Sequence, residues 1–226
     1  MTDQLEELVR VVALVVATLV PIVNPTGVAP VFLSMTPGAS DATRKLLARK
    51  IGINVTLLLT SAMFIGSHIL GFFGLSLPVV KIAGGMLVIA NGWRLISADS
   101  TPDAPPVSAQ PAWGASEIAS RAFYPLTFPL TVGPGSISVA VTLGAGSSGA
   151  AQSTITLLAG AVAGIIVVGL VTALSFRYAA KVVRRLGSTG TVILLRLSAF
   201  ILIAIGVEIF CSGLAERFPI LIAPGK

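Results

Sequence analysis

The chain has 226 residues, 54% of them hydrophobic and 11% charged, with a mean hydropathy of +0.95. A soluble domain is about one-quarter charged, so this composition excludes the soluble globular classes and points to an integral membrane protein. The net charge of +6 comes from Lys and Arg gathered between apolar runs, which is how membrane proteins mark their cytoplasmic loops, and it argues against a nucleic-acid partner.

Asp3, Glu6 and Glu7 precede the first apolar run, where a cleaved signal would carry positive charge. Crossing the hydrocarbon core as a helix takes about 20 mostly apolar residues. Six segments meet that length: 9–35, 51–73, 76–96, 122–144, 153–176 and 191–214. They are continuously apolar rather than alternating, so the expected fold is an all-α membrane protein and not a β-barrel. Between the third and fourth, residues 98–114 carry four prolines among Ser, Asp and Ala and read as a flexible linker. It separates a first three-helix repeat, 1–97, from a second, 115–226.

Charge orients the spans. Arg44, Lys45, Arg49 and Lys50 follow span 1, Arg94 and Arg121 flank the linker, and Arg177, Lys181, Arg184 and Arg185 follow span 5. The connections after spans 2 and 4 are uncharged. The positive-inside rule then places loops 1–2, 3–4 and 5–6, the linker included, in the cytoplasm and both termini outside. The halves also echo each other, "KIAGGMLVIANGW" in span 3 against "RLSAFILIAIGVE" in span 6. Three spans per copy make the second copy enter upside down, so the reading is an inverted-topology repeat.

Helices 1 and 4 are expected to be discontinuous. "PIVNPTGVAPVFL" (21–33) and "PLTFPLTVGPG" (125–135) put Pro and Gly at corresponding places in the two halves, and such a pair points to a transporter's binding site. Half-helix N-termini can hold a carboxylate, and freed carbonyls an ammonium. The candidate substrate-binding residues are Asn24, Pro25, Thr26 and Gly27 in the first break and Thr131, Gly133, Pro134, Gly135, Ser136 and Ile137 in the second. The N–H groups from Gly135 to Ile137 are expected to face the substrate, with Gly135 keeping the approach open in a conformation that favours glycine.

Taken together, "NPTGVAPVFL" and "FPLTVGPGSIS" resemble the MarC (UPF0056-type) family of bacterial inner-membrane proteins, from about Glu6 to Gly213. The resemblance carries over Asn24, Pro25, Gly27, Pro30, Pro129, Thr131, Gly133, Pro134, Gly135 and Ile137. It implies a six-helix inverted repeat in the bacterial inner membrane, where termini placed outside by the charge pattern are periplasmic, and kinship with small neutral amino acid transporters such as SnatA. The family name also carries a proposed antibiotic-resistance role.

Glu208 is an ionisable group within span 6 and the candidate for coupling to H+ or Na+. Lys81 and Arg196 can snorkel to an interface, and His68 reads as interfacial. Gly84, Gly85 and the run 160–164 read as close-packing faces. With one histidine and one cysteine, Cys211, no metal cluster or internal disulfide is expected, and no resident cofactor. One Glu, one His and one Cys, scattered along the chain, are a poor inventory for an enzyme. The leading expectation is a secondary transporter of small neutral amino acids, against a channel or an exporter of another small solute.

Overall fold

The computed structural model describes residues 2–97, 113–145 and 151–218. The proline-rich part of the linker lies outside them, apart from Trp113 and Gly114. The described residues hold helices and no strand. In chain order these are α1 (Thr2–Val23), α2 (Pro25–Ser34), α3 (Asp41–Phe72), α4 (Leu77–Ser97), α5 (Ala115–Arg121), an irregular helical segment (Ala122–Thr131), α6 (Pro134–Ala145) and α7 (Ala151–Arg217).

Four stretches are long and apolar enough to cross a membrane: Gln4–Ser34, Asp41–Phe72, Leu77–Ser97 and Ile155–Arg217. Ala115–Thr131 with Pro134–Ala145, bent by 77°, makes a fifth. By length and composition, these stretches account for the region of all six expected spans in four or five pieces. Gln4–Ser34 covers the expected first span, with its helix interrupted at Asn24. The expected fifth and sixth spans both fall within Ala151–Arg217, and Arg177, Lys181, Arg184 and Arg185, expected in the loop between them, are helical. Arg, Lys, Ala and Leu are strong helix formers, so a polar stretch of this kind has no reason to unwind. The run breaks only at Gly187, whose φ of 68° and ψ of −174° suit glycine. It has a first limb, 151–186, and a second, 188–217.

The same logic lengthens α3. Ser40 caps it by accepting from the Thr43 N–H at 3.1 Å, and Arg44 to Lys50 form its first turns. Arg44 turns back to the end of α2, donating to the Thr36 carbonyl at 3.0 Å. A cation on freed C-terminal carbonyls is favourable.

Leu19, Leu47, Ile51, Leu59, Met63, Ile165 and Phe176 are fully buried between α1, α3 and the first limb of α7. Phe32 of α2 stacks on Phe176 at 4.8 Å. Leu14, Leu57, Ile65, Leu170 and Phe200 are exposed, as side chains facing lipid tails are. Glycines let the backbones touch. A Cβ on Gly52 of α3 would lie 2.7 Å from the Gly169 carbonyl oxygen, and one on Gly85 of α4 would lie 2.7 Å from that of Gly206. Lipid offers no hydrophobic drive between helices, so small residues at crossings supply the packing. From Gly92 beside Ala199 to Gly213 beside Pro78, α4 runs antiparallel to the second limb. The Gly52 and Gly169 contacts likewise set α3 antiparallel to the first limb.

Candidate functional site

Pro25 favours the first break. A residue before proline is pushed out of the right-handed helical region, and Pro25 itself has no N–H to donate. Asn24 answers with φ 48° and ψ 53°, a left-handed conformation that Asn tolerates better than most residues. The chain is restitched around it: Asn24 N–H donates to Val20 O at 2.8 Å, and Val28 N–H donates to Asn24 O at 3.0 Å. The Oδ1 of Asn24 accepts from the Gly27 N–H at 3.2 Å. Its Nδ2 is buried with no partner, in a residue only 7% exposed. Leaving a buried donor unpaired costs about 1–3 kcal/mol, so this amide calls for a ligand or a role.

The second break is longer. Tyr-Pro-Leu-Thr (124–127) is followed at once by Phe-Pro-Leu-Thr (128–131). Tyr124 and Phe128, each before a proline, are extended at φ −118° and −114°. Thr127 and Thr131, both buried, use their hydroxyls to donate to the carbonyls five residues back, Ala122 and Leu126, at 2.6 Å each. Side-chain donors thus add to the pairing of carbonyls within the proline-interrupted turns, where backbone at membrane depth must be satisfied. Val132 is extended, and α6 starts at Pro134.

At the start of α6 the structure departs from two expectations. Ile137 N–H donates to Gly133 O at 3.1 Å, so at most the Gly135 and Ser136 N–H groups remain to face a ligand. Gly135 is helical without a positive φ, and a Cβ there would overlap Val88 Cγ2 of α4. Its small size serves helix packing and not an open approach. Ser136 Oγ donates to Gly133 O at 2.9 Å, and Ser138 Oγ to Val80 O of α4 at 2.9 Å.

Of the residues singled out, Asn24, Pro25, Gly27, Thr131, Gly135 and Ser136 are buried, Gly133 and Ile137 partly so, and Thr26 and Pro134 are exposed. Pro30 is buried and Pro129 exposed. The breaks lie on neighbouring elements, since α1 packs on α6 and α2 packs on the irregular segment. Two partners were missed in the sequence. A Cβ on Gly27 would lie 2.7 Å from Ser198 Cβ, and one on Gly133 would lie 3.5 Å from Asn91 Nδ2. Both are polar residues inside apolar spans, which was the available signal. Among the described residues no charged side chain hydrogen-bonds to either break.

Glu208 is not brought to these residues. It is exposed and ten residues beyond Ser198 on the same limb, about 15 Å at the helical rise. Lys81 pairs with Glu216, Arg196 is exposed, and His68 is exposed with Nδ1 3.2 Å from Phe64 O. An open groove of about 600 Å³ lies elsewhere, between α3 and the first limb of α7, and includes none of the break residues.

Residues 9–218 match the family described as MarC family integral membrane protein. A UPF0056 membrane protein of Archaeoglobus fulgidus is 32% identical over 200 residues, covering 88% of this chain and 90% of that one. UPF0056 membrane protein YhcE of Escherichia coli (strain K12) is 33% identical over 88% of this chain and 89% of its own. UPF0056 inner membrane protein MarC of Escherichia coli O1:K1 / APEC is 29% identical over 93% and 96%. No solved structure gives a significant match. A family match spanning nearly every described residue, both breaks included, means that the chain belongs to the MarC family of integral membrane proteins.

Proposed function

We propose that the protein is a secondary transporter of small neutral amino acids, glycine- or alanine-like, working by alternating access around the two broken helices. The observation that carries this reading is the Asn24 amide: a donor held at a helix break in an apolar core, buried and without a partner. With the first N–H groups of α6 it suits a carboxylate, and freed carbonyls suit an ammonium. The absence of charged side chains at the breaks suits a zwitterion with a small uncharged side chain. In this conformation the breaks are closed, Gly27 against Ser198 and Gly135 against Val88, so binding requires the halves to part.

In this reading the two limbs of α7 are separate crossings and the bent pair is one, giving six spans in two inverted three-helix repeats. The antiparallel pairing of α3 with the first limb and of α4 with the second supports that arrangement. The membrane is the bacterial inner membrane, in keeping with the name of the Escherichia coli relative. Both termini are periplasmic and the three basic segments cytoplasmic. Cysteines placed at residue 2 or 225 in a Cys211→Ser background should react with an impermeant reagent added to intact cells, and one at residue 103 should not. The reverse pattern would invert the topology.

Proteoliposomes test the function. Glycine, alanine and serine should show saturable uptake with counterflow, and arginine and glutamate should not. Running the assay under a proton or a sodium gradient assigns the coupling ion, and Glu208→Gln under the same gradients tests Glu208 as the coupling group. Flux that neither saturates nor exchanges would indicate a channel. Preference for a bulky hydrophobic drug over every amino acid would overturn the reading.

A further inference from the structure

We propose that the groove between α3 and the first limb of α7 is a binding site for an anionic phospholipid. Its phosphate sits among Lys45, Arg49 and Arg177, and an acyl chain lies along the floor at Gly52 and Gly169. The volume of about 600 Å³ falls within the ordinary range for ligand sites.

The polar end holds charge without an answer. Lys45 and Arg49 are one turn apart on α3, and Arg177 faces them from α7. All three are exposed, and among the described residues none takes part in an ion pair. Arg177 has only the ring of Tyr178, at 5.8 Å. Three unpaired cations beside one groove attract an anion, and each basic residue near a membrane surface contributes about 1 kcal/mol toward acidic lipid.

The rest of the groove asks for hydrocarbon. Its floor is the Gly52–Gly169 crossing, and the one hydroxyl there, Thr56 Oγ1, already donates to Gly52 O at 3.0 Å. Leu170 and Ile53 wall it and are themselves exposed. From Arg177 to Ile166 the wall extends eleven residues, about 16 Å at the helical rise. A charged end joined to an apolar channel of that depth, on the surface of a membrane-spanning helix pair, fits a phospholipid. Free phosphate has nothing to place on the apolar floor. A second copy docked by a two-fold axis through this groove would set the three cations against their own equivalents.

The test uses full-length protein in detergent, stripped of lipid and examined by native mass spectrometry. It is titrated with phosphatidylglycerol, with phosphatidylcholine of the same chains, or with inorganic phosphate. Phosphatidylglycerol adducts should persist at activation energies that remove phosphatidylcholine. Lys45→Gln, Arg49→Gln and Arg177→Gln combined should weaken phosphatidylglycerol by about tenfold or more and leave phosphatidylcholine unchanged. The three side chains are exposed, so the core survives the change, and an unaltered melting curve in detergent verifies it. Equal retention of both lipids, an unaffected triple variant, or full competition by inorganic phosphate overturns the proposal. So does efficient cross-linking between copies through Ile53→Cys in a Cys211→Ser background with phosphatidylglycerol present.

Discussion

Gly85→Ile is expected to leave no monodisperse protein, and Gly85→Ala to lower the melting temperature. A Cβ at residue 85 would lie 2.6 Å from Phe210 N, 2.7 Å from Gly206 O and 2.9 Å from Phe210 Cα, all backbone of the second limb of α7. Backbone cannot rotate out of the way as a side chain can, so the limb must move as a body. The same crossing holds Gly206 within 2.7 Å of Ile89 N and Gly92 within 2.9 Å of Ala199 O, by the same measure. A shift that relieves one contact disturbs the others. Overpacking a well-fitted interior costs about 1–3 kcal/mol even without such coupling. Gly71, with nothing within 4 Å, is the control: Gly71→Ala should fold at least as well as the parent, since alanine is the better helix former. Size-exclusion chromatography and thermal melts of the three proteins read the outcome. A monodisperse Gly85→Ile protein with the parent's melting temperature would mean that α4 and the second limb are not held at this crossing.

The class of fold and the positions of both breaks were legible because each follows from short-range chemistry. Proline disfavours a helical residue before it; Asn24 and Phe128 leave the helix, although Val20 and Ala29, also before prolines, stay in it, so the bias marks the breaks without forcing them. What the sequence hid is tertiary or is masked by polarity. Apolar length underestimates α3 and α7, because Arg44 to Lys50 and Arg177 to Arg185 are good helix formers that hydropathy counts as loop. Gly135 shows the other limit. Its place beside Pro134 suggested an open approach for a ligand, but α4 fills that space with Val88, a residue 47 positions away in sequence. A bulky residue at Gly135 therefore tests packing before it tests binding. Asn91 and Ser198 stand out as polar residues inside apolar spans, but that they reach the breaks follows only from the docking of α4 and the second limb of α7 there. The doubled Aro-Pro-Leu-Thr unit lay in plain view, yet its purpose, threonine hydroxyls serving carbonyls five residues back, needs the backbone path to be seen.

Asn24 offers the cleaner separation of binding from folding, because its two roles fall on different atoms. Oδ1 caps α2 through Gly27, and Nδ2 is the unpartnered donor. Glycine adopts the left-handed backbone of residue 24 at no steric cost, and at a helix N-cap it is only a few tenths of a kcal/mol worse than asparagine. Asn24→Gly should therefore melt close to the parent, yet bind glycine or alanine about 5- to 150-fold more weakly, the equivalent of about 1–3 kcal/mol for a lost buried hydrogen bond. Asn24→Ala loses the cap and also places a Cβ in the left-handed region, so it should lose about 1–2 kcal/mol of stability as well. Asn24→Asp keeps an acceptor for Gly27 and tolerates the backbone, but it replaces the donor with an acceptor aimed at the substrate's carboxylate. Its binding should be the weakest of the three. Direct binding of labelled alanine to purified protein, read beside melting curves, orders the set. If Asn24→Gly and Asn24→Asp both bind alanine as the parent does, the amide is a helix cap alone, and the substrate is held elsewhere.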